Sequence, residues 1–291
     1  MRGDEVMVLR IYKKEDAPII AEWLRSEEEL YKWSADRFNK YPLSGKDINE
    51  NYAPQIETGR FIPQLIKEGK YNIEDDAIGI IYPVYGLTAP EIVKRYIKDC
   101  HLKAAYIFVI GTYGNADGAT LHVMKKLLES NGNRADYFET LLMVDNYLPG
   151  FEMRDQVSRL EEKGTERELA RIVDEVNGRI KKYNDRGFGW KLASAALNSA
   201  YGGVVKNRAK KWFSVNEDCI GCGICSRVCP VANVTQTDKS KPVFGGNCEC
   251  CFACVHNCPK KAIHLKNEKS GERFRNPAVS VNEIIAANRQ G

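Results

Sequence analysis

The chain has 291 residues, of which 43% are hydrophobic and 28% charged, with a formal net charge of +4. That balance is ordinary for a soluble globular protein of about two domains, and its near-neutral charge names no partner by electrostatics. No apolar run approaches the roughly 20 residues of a membrane span, and nucleic-acid binding is not expected, because the basic run Lys206, Arg208, Lys210 and Lys211 sits in an expected linker.

Residues 1–14 are charged throughout and lack the apolar stretch of a secretory leader. Residues 6–12 (VMVLRIY) have strand character, Lys13-Lys14-Glu15-Asp16 make a charged turn, and a helix is expected over 17–30. From residue 76 the pattern alternates. Strands are expected at 77–82 (AIGIIY), 105–110 (AYIFVI) and 138–144, with helices at 90–99 and 121–128. Continuous apolar strands joined by helices predict a parallel sheet covered on both faces. Residues 153–183 read as one or two charged helices. Gly187, Gly189, Gly202 and Gly203 mark a passage to a second module, in which 268–276 reads as a polar loop and 281–288 as a closing helix.

That second module carries the strongest signal in the chain. Cys219, Cys222, Cys225 and Cys229 have the spacing Cys-x-x-Cys-x-x-Cys-x-x-x-Cys followed by Pro230, and Cys248, Cys251, Cys254 and Cys258 repeat it before Pro259. This is the bacterial ferredoxin run for cubane clusters, in which the fourth cysteine of each run ligates the other cluster. Two [4Fe-4S] clusters are therefore expected, one on Cys219, Cys222, Cys225 and Cys258, the other on Cys248, Cys251, Cys254 and Cys229. A zinc ribbon needs only paired Cys-x-x-Cys, and a disulfide framework suits a short secreted chain. Thiolate-rich sites argue for a reducing cytoplasm. Gly221 and Gly223 let the first loop bend around its cluster, whereas the second has Glu249 and Phe252 in their place, so its wrap is expected to differ. Cys250 fits no ligand position and reads as a spectator thiol or a spare ligand. His256 is expected to pack or to be solvated, and Cys100 to be a buried small hydrophobe.

Ligands of open α/β sheets sit beyond the carboxyl ends of the strands, at the topological switch point. The loops there hold Tyr82, Pro83, Tyr85 and Gly86, then Gly111, Thr112, Tyr113, Gly114 and Asn115, then Asn146 and Tyr147. Their glycines, asparagines and tyrosines suit a flat redox cofactor, and equally suit plain turns.

The segments IYPVYG (81–86), GTYGN (111–115), VDNYLPG (144–150), KPVFGGNCECCFACVHNCP (241–259) and RFRNPAVSVNEII (273–285) carry a family resemblance. Residues 58–183 resemble a flavodoxin domain from its second strand onward, and 214–288 the bacterial-type ferredoxin attached to it. Together they are similar to a family of anaerobe flavodoxin–ferredoxin fusion proteins. The resemblance implies a flavodoxin-like doubly wound parallel sheet, a small α+β ferredoxin domain, and FMN at the three loops. VLRIYKKEDAPIIAEWL (8–24) and KWSADRF (32–38) are in turn similar to the opening of a GNAT-type N-acetyltransferase. The expected domains are 1–52 (GNAT-like), 53–184 (flavodoxin-like), a linker at 185–213, and the ferredoxin at 214–291.

Two departures shape the expectation. A flavodoxin opens with a Ser/Thr/Gly loop that holds the FMN phosphate, and here the corresponding turn is Lys13-Lys14-Glu15-Asp16, whose carboxylates repel phosphate. Weak or no FMN binding is expected. The glycine-rich turn that holds acetyl-CoA in the acetyltransferase family is absent too, so acetyl transfer is not expected. The head is either an appendage or the supplier of a central strand at 6–12. Three functions remain: an iron–sulfur electron carrier with a redox protein as partner, an FMN-dependent oxidoreductase fed by the clusters, and a ferredoxin docked on a degenerate flavodoxin scaffold.

Overall fold

A computed structural model describes residues 17–27, 30, 41–52, 61–183, 211–237 and 240–288. The strand expected at 6–12, its charged turn and the glycine-marked passage lie outside the described residues. Contacts divide the chain into two units, Met1–Arg60 and Phe61–Gly291.

In the first unit, α1 (Ala17–Trp23) and α2 (Gly45–Tyr52) gather Ala17, Leu30, Leu43 and Ile48 into a small core. Ser44 starts α2 through a reciprocal cap: its hydroxyl reaches the Asp47 carboxylate at 2.7 Å, and the Asp47 N–H returns to that hydroxyl at 3.3 Å. The helix expected to run to residue 30 stops at Trp23. Ser26, a residue type that favours helix starts, opens a separate turn whose carbonyl accepts the Leu30 N–H at 3.0 Å.

The second unit begins with α3 (Ile62–Lys67) and β1 (Asn72–Glu74), followed by β2 (Ala77–Pro83), α4 (Glu91–Asp99), β3 (His101–Lys103) and β4 (Tyr106–Tyr113). Then come α5 (Thr120–Ser130), β5 (Tyr137–Leu142), α6 (Met153–Ser158), α7 (Thr165–Asn177) and β6 (Lys182–Tyr183). The sheet runs β2-β4-β5-β6 with every pairing parallel, and β1 pairs with β3 as a short parallel extension. Among the described residues this order is sequential and contains no switch point, unlike the expected one. The short β6 was also not foreseen. Lys182 and Tyr183 register with Tyr137 and Phe138 at the end of what reads, by composition, as helix.

Alternation along the strands sends two sets of side chains to opposite faces. Ile78, Ile80, Tyr82, Ile107, Val109 and Phe138 pack with α4 and α5 through Val93, Ile97, Met124 and Leu128. Tyr106, Ile110, Tyr137 and Leu141 meet Ile172 of α7 on the other side. The result is a mixed α/β domain with helices on both faces of a parallel sheet. Its β2 edge departs from the expected two-sided burial: Ile78, Ile80 and Tyr82 are buried, but Ile81 is 61% exposed. Only one face of that strand has a helix layer among the described residues.

Beneath α7 a buried carboxylate holds the two layers in register. Glu139 of β5 accepts from Lys182 at 2.7 Å and from Arg171 of α7 at 3.1 Å. Burial alone would raise its pKa, but hydrogen bonds from Lys182, the Thr140 N–H and Arg171 outweigh this and hold it below the ordinary 4.5. A depressed folded-state pKa contributes stability that is present above the ordinary value and lost as pH falls beneath it. Glu139→Gln should therefore destabilise the protein at pH 7 by about 1 kcal/mol, since Arg171 and Lys182 lose one carboxylate but keep Glu175, and should flatten the loss of stability below pH 4.5. Urea unfolding at both pH values checks this; equal losses at pH 7 and pH 3 would refute it.

The last module comprises β7 (Phe213–Val215), α8 (Ile224–Arg227), β8 (Val234–Thr235), β9 (Val243–Phe244), α9 (Ala253–His256), β10 (Ile263–Leu265) and α10 (Val281–Asn288). β7 pairs antiparallel with β10, and β8 with β9. The α+β ferredoxin-type pattern expected here is present. Its core of Val234, Phe252, Val255, Ile263 and Leu265 is completed by Leu148 and Met153, which come from the α/β domain.

Candidate metal centres and the strand-end loops

Two cavities organise this module. Cys219, Cys222, Cys225 and Cys258 line one, and Cys229, Cys248, Cys251 and Cys254 line the other. The exchanged fourth cysteines fit a duplicated cubane-binding unit.

The two loops wrap alike, contrary to the expected difference. Gly221 (φ 65°) and Gly223 (φ 75°) of the first loop correspond in register to Cys250 (φ 55°) and Phe252 (φ 55°) of the second. Cys250, not Glu249, therefore occupies the first glycine's place. The non-glycine residues take the left-handed turn at a cost of about 1 kcal/mol each. The symmetry continues past the Cys-Pro steps, where Ala232 (φ 49°) matches Lys261 (φ 50°). The next N–H in each copy points at sulfur: Asn233 donates to Cys229 Sγ at 3.2 Å, and Ala262 to Cys258 Sγ at 3.3 Å. Such N–H···S bonds are what a thiolate-bound cluster requires of its surroundings.

Burial raises the thiol pKa values, to about 11 for Cys225 and about 12 for Cys251, and raises that of Cys254 strongly. Thiolates at such positions need cationic iron beside them to stay deprotonated. Cys250 is buried, and its N–H reaches Cys248 Sγ at 3.3 Å. The thiols are unequally sheltered. Cys222 is exposed beside Ile220, which is 57% exposed, whereas no cysteine of the second cavity is exposed.

The second cavity faces inward because its loop is seated on the carboxyl ends of the sheet strands. Glu249 accepts hydrogen bonds from the Glu91 and Ile92 N–H groups at 2.8 and 2.9 Å, capping α4 from another module. The Phe274 N–H donates to His256 Nδ1 at 3.0 Å, so Nε2 carries the proton and donates to the Asn146 carbonyl at 2.9 Å. His256 thus packs, as expected, and in doing so ties three segments together. The Tyr147 ring lies 5.8 Å from that of Phe252, and Leu148 is fully buried in the module's core. The long-range contacts of Glu249 and Leu148 have no local signal in the sequence: Glu249 reads there only as a loop residue in a glycine's place, and Leu148 as part of the VDNYLPG loop.

The residues expected to form a flavin rim separate into groups. Tyr82 is a core residue, 1% exposed, and Thr120 donates to its hydroxyl at 3.2 Å, so it does not reach the rim. Gly111 is buried within β4, and the Thr112 carbonyl binds the Val84 N–H at 2.7 Å. Asn146 and Tyr147 contact the ferredoxin-type module. Pro83, Tyr85, Gly86, Tyr113, Gly114 and Asn115 remain at the strand ends. Gly86 (φ 57°) and Leu87 (φ 68°) form a tight turn closed between Tyr85 and Thr88. Burial, with Cys251 and Glu249 close by, raises the Tyr85 pKa strongly. Lys163 ties the other two loops, donating to the Gly114 and Met143 carbonyls at 3.0 and 2.6 Å. A Cβ at Gly114 would fall 2.3 Å from Asp145 Cα. Gly114→Ala should therefore cost about 2 kcal/mol by overpacking, read from denaturant unfolding, and an unchanged midpoint would refute the close approach. Cys100 is fully buried, as expected.

Residues 211–259 match the model of the 4Fe-4S dicluster domain. Three curated proteins show the same likeness. The pyruvate synthase subunit PorD of Methanothermobacter marburgensis is 32% identical over 73 residues, 23% of this chain and 86% of that protein. One component of the ion-translocating oxidoreductase complex of Methanosarcina acetivorans is 40% identical over 48 residues, 16% of this chain and 18% of the relative. An uncharacterized ferredoxin of Methanocaldococcus jannaschii is 35% identical over 80 residues, 26% and 37% of the two chains. The chain thus spans well under half of two of these relatives. No solved structure matches it. Through its C-terminal module the chain belongs to the 4Fe-4S dicluster ferredoxin family.

Proposed function

We propose that this protein is a two-cluster relay whose α/β domain serves as the seat of the inner cluster. Cys219, Cys222, Cys225 and Cys258 hold the outer [4Fe-4S] cluster, and Cys229, Cys248, Cys251 and Cys254 the inner one. Each cluster supplies one-electron chemistry; the chain supplies ligands, hydrogen bonds and insulation. The observation that carries the reading is the division of the eight cysteines between two cavities with the fourth cysteine of each run exchanged. The exposed Cys222 and Ile220 mark the outer cavity as the port for a protein partner. The names of two relatives, a subunit of an ion-translocating oxidoreductase complex and a subunit of a pyruvate synthase, support a subunit of an enzyme complex in that role. The residues are consistent with a reducing compartment, and among the described residues no helix is long and apolar enough to cross a membrane.

The α/β domain reads as flavodoxin-like in its parallel strands and glycine-rich loops, with FMN bound weakly or not at all. Asn146 and Tyr147 are engaged by the ferredoxin-type module, and Glu249 brings a carboxylate to the strand ends. Anaerobic purification followed by iron, sulfide and flavin analysis, with and without added FMN, tests both parts. About eight irons and under about one tenth of an equivalent of flavin are expected. One bound zinc and no sulfide would end the cluster reading, and stoichiometric FMN would end the scaffold reading.

A further inference from the structure

Asn233 follows the Cys229-Pro230 step and lines the inner cavity. It is 6% exposed and held at three points. Its N–H donates to Cys229 Sγ at 3.2 Å, its carbonyl accepts the Gly245 N–H at 2.7 Å, and its side-chain Oδ1 accepts the Asn247 N–H at 2.7 Å. The last bond identifies the amide oxygen and so fixes where the NH2 group lies. That Nδ2 is buried and has no hydrogen-bond partner. Buried amide donors are rarely left unpaired. The acceptors around it are few. Glu249 directs its carboxylate to the α4 N–H groups, and the other lining side chains are cysteine, proline, aliphatic or aromatic. Sulfur is the acceptor that remains. In the outer copy the equivalent residue is Ala262, which repeats the backbone bond to sulfur but has no side-chain donor.

We infer that the Asn233 amide donates a hydrogen bond to sulfur of the inner cluster and sets that cluster's reduction potential above the value it would otherwise have. The inference rests on the two-cluster reading. Reduction adds one negative charge to a cluster, so an N–H donor at its sulfur stabilises the reduced form more than the oxidised one.

The test is a potentiometric titration, followed by electron paramagnetic resonance, of the anaerobically purified full chain and two variants. Asn233→Asp keeps an oxygen for the Asn247 N–H while removing the donor; Asn233→Ala reproduces the outer copy. In both, one of the two midpoints should fall and the other stay, with the larger fall in Asn233→Asp because it adds negative charge. Midpoints unchanged from the parent protein would overturn the inference, as would both moving together. Loss of half the iron from Asn233→Asp would also overturn it, because Asn233 would then brace the loop rather than tune the cluster. A parent protein far from eight irons would instead undo the two-cluster reading beneath it.

Discussion

Cys258→Ser should empty the cavity of the first cysteine run, not that of its own, lowering the iron from about eight to about four per chain. Cys258 sits in the second run by sequence but lines the cavity of Cys219, Cys222 and Cys225. Its neighbours in sequence, Cys248, Cys251 and Cys254, line the other cavity together with Cys229. A serine hydroxyl is a poorer iron ligand than a thiolate and is not deprotonated as readily, so the cube loses one corner. Because so little apolar core surrounds it, the module should also unfold more easily. The residual resonance spectrum of Cys258→Ser should match that of Cys222→Ser and differ from that of Cys251→Ser. If it matches Cys251→Ser, the crossed assignment is wrong.

Leu148→Ala should destabilise the whole second unit by about 3 kcal/mol, the usual cost of a cavity left by a fully buried leucine. Leu148 belongs by sequence to the loop after β5, yet its side chain lies in the core with Val234, Phe252, Val255 and Ile263. The loop is anchored around it: the Lys269 N–H donates to the Leu148 carbonyl at 2.9 Å, and His256 holds the preceding Asn146. Truncation therefore opens a void between the two modules and loosens their seat. Denaturant unfolding of the cluster-loaded protein measures it. Leu169→Ala, at a position 39% exposed on α7, is the control and should change stability by under about 0.5 kcal/mol. Equal effects of the two would show that Leu148 is not a core residue.

The parts that sequence made legible are those whose cause is local. Cysteine spacing is a local property of the chain, so both runs could be read directly as expected cluster ligands, and the structure gathers them as two sets of four. Apolar runs at 77–82 and 105–110 have no stable place except a buried sheet, and helices α4 and α5 fall within a residue or two of their periodic patterns. The failures have physical reasons. Composition could not place β6, because Lys182 and Tyr183 are strand residues only by virtue of the β5 edge beside them. Nor could it show that Cys250 and Phe252 accept left-handed geometry, since propensity alone reserves that conformation for glycine. The strand-end tyrosines looked alike in sequence. Tyr82 went into the core because alternation along β2 sends it to the α4 side, while Tyr147 was drawn to Phe252.

Sequence by itself determined that the last module is of the 4Fe-4S ferredoxin type, because cysteine identity and spacing are covalent properties of a short segment. Only the tertiary structure decided how the surroundings of the two cysteine sets differ. Glu249 caps α4, Leu148 fills the ferredoxin-type core, and Asn233 turns a buried donor into one cavity but not the other. Each of these rests on contacts between segments far apart in the chain, whose energies come from burial and orientation that no local pattern encodes.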